Sequence, residues 1–293
     1  MLQSAHNMRP SETIRSLLTF KKSYCTFVFQ KIKKETIKMS KQNIYDNEIF
    51  FEGYKTLREK ANSANNLFEK PALFALLPDL HDKCVLDLGC GYGENCLKYA
   101  EMGAGKVIGL DISEKMLEIA KAENSNPKIE YKNMPMEDIS LENLLPAGGK
   151  FDLVVSSLAI HYVEDYAGLV KKIYALLKDG GYFIFSQENP INTCFTTGSR
   201  WTVDENGNKL YANLSNYSVD GKRESKWFVE GIEKYHRTFS TVINTLIDNN
   251  FKLEKLVEPY PTDEMVKANP GKYDQHFDLR HKPDFLLVKA VKA

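Results

Sequence analysis

The chain predicts an α/β fold built on a doubly wound, seven-stranded sheet, and three observations carry that expectation. The apolar run Val85-Leu86-Asp87-Leu88 leads straight into a glycine-rich turn, Gly89-Cys90-Gly91-Tyr92-Gly93, with a helical stretch behind it. A second apolar strand, Val107 to Leu110, ends in an acid of its own, Asp111, which completes a strand, glycine turn, helix and strand in βαβ order. Leu153 to Val155 is apolar at every position, as a strand covered on both faces must be.

The other elements follow in order. From about Tyr45 to Leu80 the chain reads as helical: Phe50, Phe51, Tyr54 and Leu57 recur at helical spacing, and Pro71 opens a further short helix. This segment is expected either to lie as a lid over the cleft or to pack its aromatic rings on the core. Strand one is followed by a helix from about Glu94 to Met102 that stops at Gly103, a left-handed cap. Ser113 caps a helix carrying Met116, Leu117, Ile119 and Ala120, and strand three lies near Ile129 to Lys132. After strand four, Leu169, Val170, Ile173, Leu176 and Leu177 mark a helix ended by Gly180-Gly181, and Tyr182 to Phe185 forms strand five. The pattern breaks after Glu188. Residues 191–236 show no helical period, but Asn206-Gly207 and Asp220-Gly221 are hairpin signals, which predicts a strand-rich insertion over the mouth of the cleft. A helix near Phe239 to Ile247 and strands Phe251 to Val257 and Phe285 to Val291 complete the seven.

The 293 residues, 43% of them hydrophobic, suffice for a full core. The net charge of zero hides an asymmetry, because residues 1–42 carry nine Lys and Arg against two acids. The remainder is therefore mildly acidic, which argues against a nucleic-acid footprint there. Residues 1–43 read as a basic tail without ordered structure, or as an extension ahead of a start at Met39, with an organellar presequence as the alternative. The domain proper is expected over 44–293, divided into a helical segment 44–80, a core 81–188, the insertion 191–236 and a C-terminal part 237–293. No stretch approaches the roughly 20 apolar residues of a membrane span. The five cysteines lack paired spacing, which suits a reducing cytoplasm, and no metal site is expected.

The glycine turn narrows the ligand. A dinucleotide loop of the form G-x-G-x-x-G would need its third glycine where Glu94 stands. Asp87 and Glu94 bracket the turn and would repel phosphate. A carboxylate ending the first strand suits a cation, such as the ammonium and sulfonium of S-adenosylmethionine. Asp111 can accept ribose hydroxyls in either cofactor.

These residues resemble the class I S-adenosylmethionine-dependent methyltransferases, in particular the small-molecule type with D-L-G-C-G-x-G and a later F-D-L-V-x-S-x-x-A-x-H-Y block. The second block stands here as Phe151-Asp152-Leu153-Val154-Val155-Ser156-Ser157-Leu158-Ala159-Ile160-His161-Tyr162. The resemblance covers roughly Phe68 to Glu188. A looser similarity to uncharacterised bacterial methyltransferases continues through Tyr235-His236-Arg237-Thr238 and Glu258-Pro259-Tyr260-Pro261-Thr262. It implies a Rossmann-like sheet, S-adenosylmethionine as cofactor, and a cytoplasmic enzyme that methylates oxygen or nitrogen of a small molecule, without nucleic-acid or membrane partners.

Site residues follow from the ends of the strands, where ligands of open α/β sheets bind. Asp87, Gly89, Cys90 and Gly91 are expected at the amino-acid end of the cofactor, Asp111 at the ribose and Ile112 on the adenine. The resemblance places Met136, Glu137 and Asp138 at the adenine amino group, although a solvated acidic turn would read the same way. Ser156 is expected near the methionine part. His161 is a candidate general base, with loop orientation or cofactor contact as alternatives, and Glu188 is a candidate for orienting the acceptor. Trp201, Tyr235 and His236, with Tyr211, Trp227 and Arg237, are candidates for the acceptor pocket. Strand four is not followed by the Asn/Asp-Pro-Pro-aromatic tetrapeptide of enzymes that methylate base amines, which disfavours nucleic-acid bases. The rival readings are a nicotinamide oxidoreductase on the same topology, a cofactor-binding module without turnover, and an RNA-modifying enzyme that uses the basic tail.

Overall fold

Apolar strands and amphipathic helices alternate as the sequence predicts and build one seven-stranded sheet, beside two small hairpins. The structure, a computed structural model, describes residues 43–58, 60–145, 148–225 and 228–293. The basic tail therefore lies outside the described residues, apart from Asn43, and so does Trp227.

A 3₁₀ turn at Ile44–Asp46 leads into α1 (Glu48–Arg58), and a π turn at Asn65–Glu69 leads into α2 (Lys70–Leu76), which Pro71 opens. Within the stretch expected to be helical, Tyr45 to Leu80, turns at residues 61–63 separate two helical pieces, and the second ends at Leu76. The core then runs β1 (Cys84–Leu88), α3 (Glu94–Glu101), β2 (Lys106–Asp111), α4 (Glu114–Glu123), β3 (Ile129–Asn133), α5 (Leu141–Leu144), β4 (Phe151–Ser157), α6 (Tyr166–Leu176) and β5 (Leu177–Glu188). Strand five is longer than expected: it starts at Leu177, and Gly180-Gly181 lie within it as an irregularity rather than ending the helix.

The insertion holds α7 (Pro190–Thr193) and two separate hairpins, β6 (Trp201–Val203) with β7 (Lys209–Ala212), and β8 (Gly221–Ser225) with β9 (Ile232–His236). Asn206-Gly207 does form the first turn, closed by the Asp204 carboxylate accepting the Asn206 and Asn208 N–H groups. Asp220-Gly221 does not turn a hairpin. It stands at the start of β8, and Asp220 accepts the Thr238 N–H and the Thr241 hydroxyl, so it ties the insertion to the next helix. That helix is α8 (Phe239–Asp248), followed by β10 (Phe251–Val257), α9 (Asp263–Ala268) and β11 (Phe285–Lys292). The short α9 and the 3₁₀ stretch Asp274–Arg280 were not expected from the sequence.

The strand order is β10-β11-β5-β4-β1-β2-β3, parallel from β3 to β5, with β11 antiparallel to both its neighbours. The chain moves outward from β1 to β3, then returns to the other side of β1 as β4. This reversal opens a crevice beyond the ends of β1 and β4. One face is covered by α6 and α8 through Leu169, Ile173, Val242 and Leu246, the other by α2 and α3 through Leu73, Leu76 and Tyr99. Val154 and Val155 meet opposite faces, which explains the unbroken apolar run of β4.

Candidate active site

The glycine turn after β1 is left-handed at Gly89, Gly91 and Gly93, with φ of 74°, 54° and 77°. A side chain at Gly89 would strike the Ala159 methyl at 2.5 Å and approach the Met136 methyl at 3.3 Å. That glycine thus lets the loops after β1, β3 and β4 converge. At Gly91 a side chain would meet open space, so its backbone is accessible to a ligand. Asp111 holds the turn in place, with Oδ2 accepting the Gly91 N–H at 2.8 Å and Oδ1 accepting the Ser113 N–H at 2.9 Å.

Asp87 is buried, and its Oδ2 accepts the Cys96 thiol at 3.3 Å. Its Oδ1 has no hydrogen-bond partner among the described residues. Burial, reinforced by the charges of Asp111 and Glu69 and opposed by the Cys96 thiol, lifts the Asp87 carboxyl to about 7. Burial likewise lifts Asp111 to about 6, against its hydrogen bonds from Ser113 and Gly91. Two buried acids with one unmet oxygen form a site that favours a cation. Cys90 packs its sulfur beside that of Cys96 over Gly109.

The other candidates on the cofactor side fall in different surroundings. Ile112 follows β2 half-exposed, its carbonyl accepting the amides of Asn43 and Asn133. Met136, Glu137 and Asp138 form a 3₁₀ turn, with Met136 on the Gly89 side and Asp138 facing solvent. Ser156 is fully buried and donates to the Leu88 carbonyl at 2.8 Å, a bond that joins β4 to β1. The residue that ends β4 is Ser157, whose hydroxyl donates to Glu69.

His161 lies in a 3₁₀ turn after β4 (Ile160–Tyr162) and is 3% exposed. Its Nδ1 accepts the Glu188 N–H at 3.4 Å, which assigns the ring proton to Nε2, 4.0 Å from Glu188 Oε1. Burial pulls the imidazole down to about 4, opposed by Glu188 and aided by Lys234 and Arg237. Glu188 ends β5, and its Oε1 accepts the Lys234 ammonium of β9. Burial favours the acid form of Glu188, but His161 and Lys234 outweigh it and hold the carboxyl below its usual range. Lys234 was not among the sequence candidates, although alternation along β9 sets it two residues from Ile232 on the buried side.

The insertion residues separate. Trp201 has the ammonium groups of Lys209 and Lys282 over its ring, 4.6 and 5.4 Å from the centroid, and lies edge-on to His281. His236 is fully buried, its Nδ1 2.8 Å from the Thr193 hydroxyl and its Nε2 2.8 Å from the Tyr217 carbonyl, so both ring nitrogens are engaged by the insertion itself. Tyr235 is half-exposed, with the Arg237 guanidinium 5.9 Å from its ring centroid.

A cover that the sequence only hinted at comes from the N-terminal segment. Asp46 accepts the Ser113 hydroxyl at 2.5 Å, and the Asp46 carbonyl accepts Lys115 at 3.0 Å. Tyr45 meets Phe50, Tyr54 and Tyr162 edge-on with centroids 5.0, 5.2 and 6.4 Å apart, and Phe50 meets Phe228 at 5.5 Å. Residues 44–54 thereby join the loops after β2 and β4 to the insertion. Phe51 and Tyr54 also touch Tyr92 of the glycine turn.

Residues 86–185 match a family model described as a methyltransferase domain. An S-adenosylmethionine-dependent methyltransferase from Mesorhizobium loti is 37% identical in a structural superposition with a TM-score of 0.66, covering 78% of this chain and 98% of that one. An uncharacterised Haemophilus influenzae protein is 39% identical over 259 residues, 87% of this chain and 98% of its own. A ubiquinone biosynthesis O-methyltransferase from Bordetella avium is 35% identical over 116 residues, 39% of this chain and 46% of its own. Among the described residues no helix is long and apolar enough to cross a membrane, and no cluster of His, Cys, Asp and Glu could hold a metal ion.

Proposed function

The chain belongs to the S-adenosylmethionine-dependent methyltransferases, and from that premise we propose that it methylates an oxygen or nitrogen atom of a small molecule. S-adenosylmethionine is the cofactor, and it supplies a methyl group already activated on a sulfonium. The unmet Asp87 Oδ1 and the open side of Gly91 fit its cationic amino-acid end. Asp111 retains lone pairs for ribose hydroxyls beside its two backbone bonds.

With an activated methyl group, the protein has chiefly to align the acceptor and take up its proton. Glu188 suits the acceptor side: it ends β5, keeps a negative charge and is held in place by Lys234 and His161. His161, neutral and with its free lone pair already occupied by the Glu188 N–H, positions that carboxylate rather than acting as the first proton acceptor. The aromatic cover from Tyr45 to Tyr54, closed against Tyr92, Tyr162 and Phe228, is the observation that carries the small-molecule reading. A crevice roofed in this way suits a small acceptor better than a duplex. The Bordetella relative methylates oxygen by its name, but the match spans less than half of that protein, so its acceptor is not transferred to this chain.

Thermal unfolding with S-adenosylhomocysteine, S-adenosylmethionine and NAD in parallel tests the cofactor, since a ligand at about 100 times its dissociation constant adds roughly 2.7 kcal/mol. A rise with the two adenosyl ligands and none with NAD is expected. Methyl transfer from labelled cofactor to a panel of small hydroxyl and amine compounds, against RNA as comparison, tests the acceptor class. Labelling of RNA alone would overturn it.

A further inference from the structure

Glu188 keeps one oxygen in reserve. Its Oε1 accepts the Lys234 ammonium and lies 4.0 Å from His161 Nε2, whereas Oε2 has no hydrogen-bond partner among the described residues. The side chain is partly exposed at the end of β5, so that oxygen is open to a ligand. Against burial, His161, Lys234 and Arg200 keep the carboxyl ionised, below its usual range.

The groups around Glu188 offer no basic lone pair. His161 Nδ1 is occupied by the Glu188 N–H and Nε2 carries the ring proton. The Lys234 ammonium can only donate. Burial and the Glu188 charge push the Tyr162 hydroxyl up, so it stays protonated.

This arrangement serves an oxygen acceptor badly. A hydroxyl must give up its proton to become a good nucleophile, and a carboxylate held below its usual range is a weak base for a group that titrates at about 10 even in a phenol. A hydroxyl that loses its proton to water beforehand arrives as an oxyanion and is repelled by Glu188. A neutral amine meets neither obstacle. Its lone pair is the nucleophile, and one of its N–H groups can donate to Oε2. As the bond to carbon forms the nitrogen becomes positive, so that hydrogen bond gains charge assistance and strengthens in the transition state. Tyr162, its ring centroid 4.4 Å from that of His161 and 6.4 Å from that of Tyr45, continues Glu188 into the aromatic roof, a surrounding that also attracts a cation.

We infer that the acceptor atom is an amine nitrogen, held by its N–H on Glu188 Oε2 with its lone pair toward the methyl group. The inference rests on the small-molecule reading above and narrows its acceptor from oxygen or nitrogen to nitrogen. The amine loses one proton to water before it reacts. Its lone pair then closes the bond to the methyl carbon while the carbon–sulfur pair returns to sulfur, which leaves S-adenosylhomocysteine. The positive charge passes to nitrogen, and the product departs as an ammonium.

Titration calorimetry on the full chain with sinefungin and S-adenosylhomocysteine tests this without knowledge of the acceptor. Sinefungin carries a carbon bearing an ammonium in place of the sulfur, which sets a positive nitrogen at the position of the transferred methyl group; the amino-acid and ribose ends are the same in both ligands. The unaltered chain is expected to prefer sinefungin at least about fivefold, and Glu188→Gln to remove that preference with S-adenosylhomocysteine affinity within about twofold. A thermal melt reports whether the variant is folded. If it is not, the unaltered chain decides: a preference due to Glu188 persists at about pH 5, whereas one due to Asp87 or Asp111, lifted to about 7 and about 6, is lost there. Equal binding of the two ligands, a preference that survives Glu188→Gln, or one that vanishes at about pH 5 overturns the proposal. Methyl transfer to amines and alcohols of matched skeleton should label the amines. Label on hydroxyl oxygen alone overturns the inference and leaves the small-molecule reading standing, and where nothing in the panel is labelled the sinefungin ratio decides. Failure of the unaltered chain to bind either ligand overturns the cofactor assignment instead.

Discussion

Gly91 donates its backbone N–H to Asp111 Oδ2 at 2.8 Å, so one carboxylate ties the turn after β1 to the end of β2. The same side chain accepts the Ser113 N–H, and hydrogen bonds to a charged group contribute roughly 1.5–3 kcal/mol each. Asp111→Ala should therefore loosen both loops at once. We expect S-adenosylhomocysteine affinity to fall at least about tenfold, with a lower unfolding temperature. Calorimetry and a thermal melt check this, and an unchanged affinity would remove Asp111 from the site.

The two raised acids make binding depend on pH. Asp87, lifted to about 7, holds its proton more tightly in the folded chain than in the unfolded one, where a carboxyl titrates near 3.9. Its contribution to stability is thus complete below about pH 4 and is lost as the pH rises through about 7. A cation bound beside it favours the ionised form, so cofactor affinity should rise with pH up to about 7 and then level off. Proton release on binding at pH 6, measured in buffers of different ionisation enthalpy, reads this directly. Asp87→Asn should reduce that release to the part that Asp111, lifted to about 6, contributes.

His161 predicts the opposite kind of profile. Burial holds it neutral down to about pH 4, so kcat should show no inflection near 6.5, where an unperturbed histidine titrates. His161→Ala removes the support of Glu188, and we expect kcat to drop roughly 10- to 100-fold, with S-adenosylhomocysteine affinity within about twofold. A kcat that titrates near 6.5 in the native enzyme would mean that His161 takes the proton itself.

The residues proposed for the cofactor half of the site were legible because they are local. Asp87, Gly89, Gly91 and Asp111 lie on one βαβ unit, and apolar periodicity with left-handed glycines marks such a unit in any sequence. Glu188 was legible for the same reason, as the polar residue that ends a buried strand. The burial of Glu69 was not legible, because an acid beside a short helix reads as solvated until Ser157 and Ser186, which are distant in sequence, close over it. Lys234 was hidden likewise, since a lysine in a polar hairpin gives no sign that β9 will turn it toward Glu188. His236 shows the converse: a histidine in a suggestive motif became a buried link between Thr193 and Tyr217.

Gly53 offers the sharpest test of the cover. It lies inside α1, where replacing glycine by alanine ordinarily stabilises a helix by roughly 0.5–1 kcal/mol. Here the added methyl would stand 2.4 Å from Phe228 Cδ1 and 2.5 Å from its Cγ, so the ring as a whole must shift. Phe228 is the point at which the insertion meets Phe50, and displacing it parts the N-terminal segment from the roof of the crevice. Gly53→Ala should thus leave overall stability within about 1 kcal/mol, because the helical gain and the steric loss oppose each other. The acceptor KM, by contrast, should rise several-fold, and S-adenosylhomocysteine affinity should change little. Steady-state kinetics beside a thermal melt separates the two effects. If KM is unaltered while Phe228 is displaced, the insertion does not close over the acceptor, and the small-molecule reading loses the enclosure on which it depends.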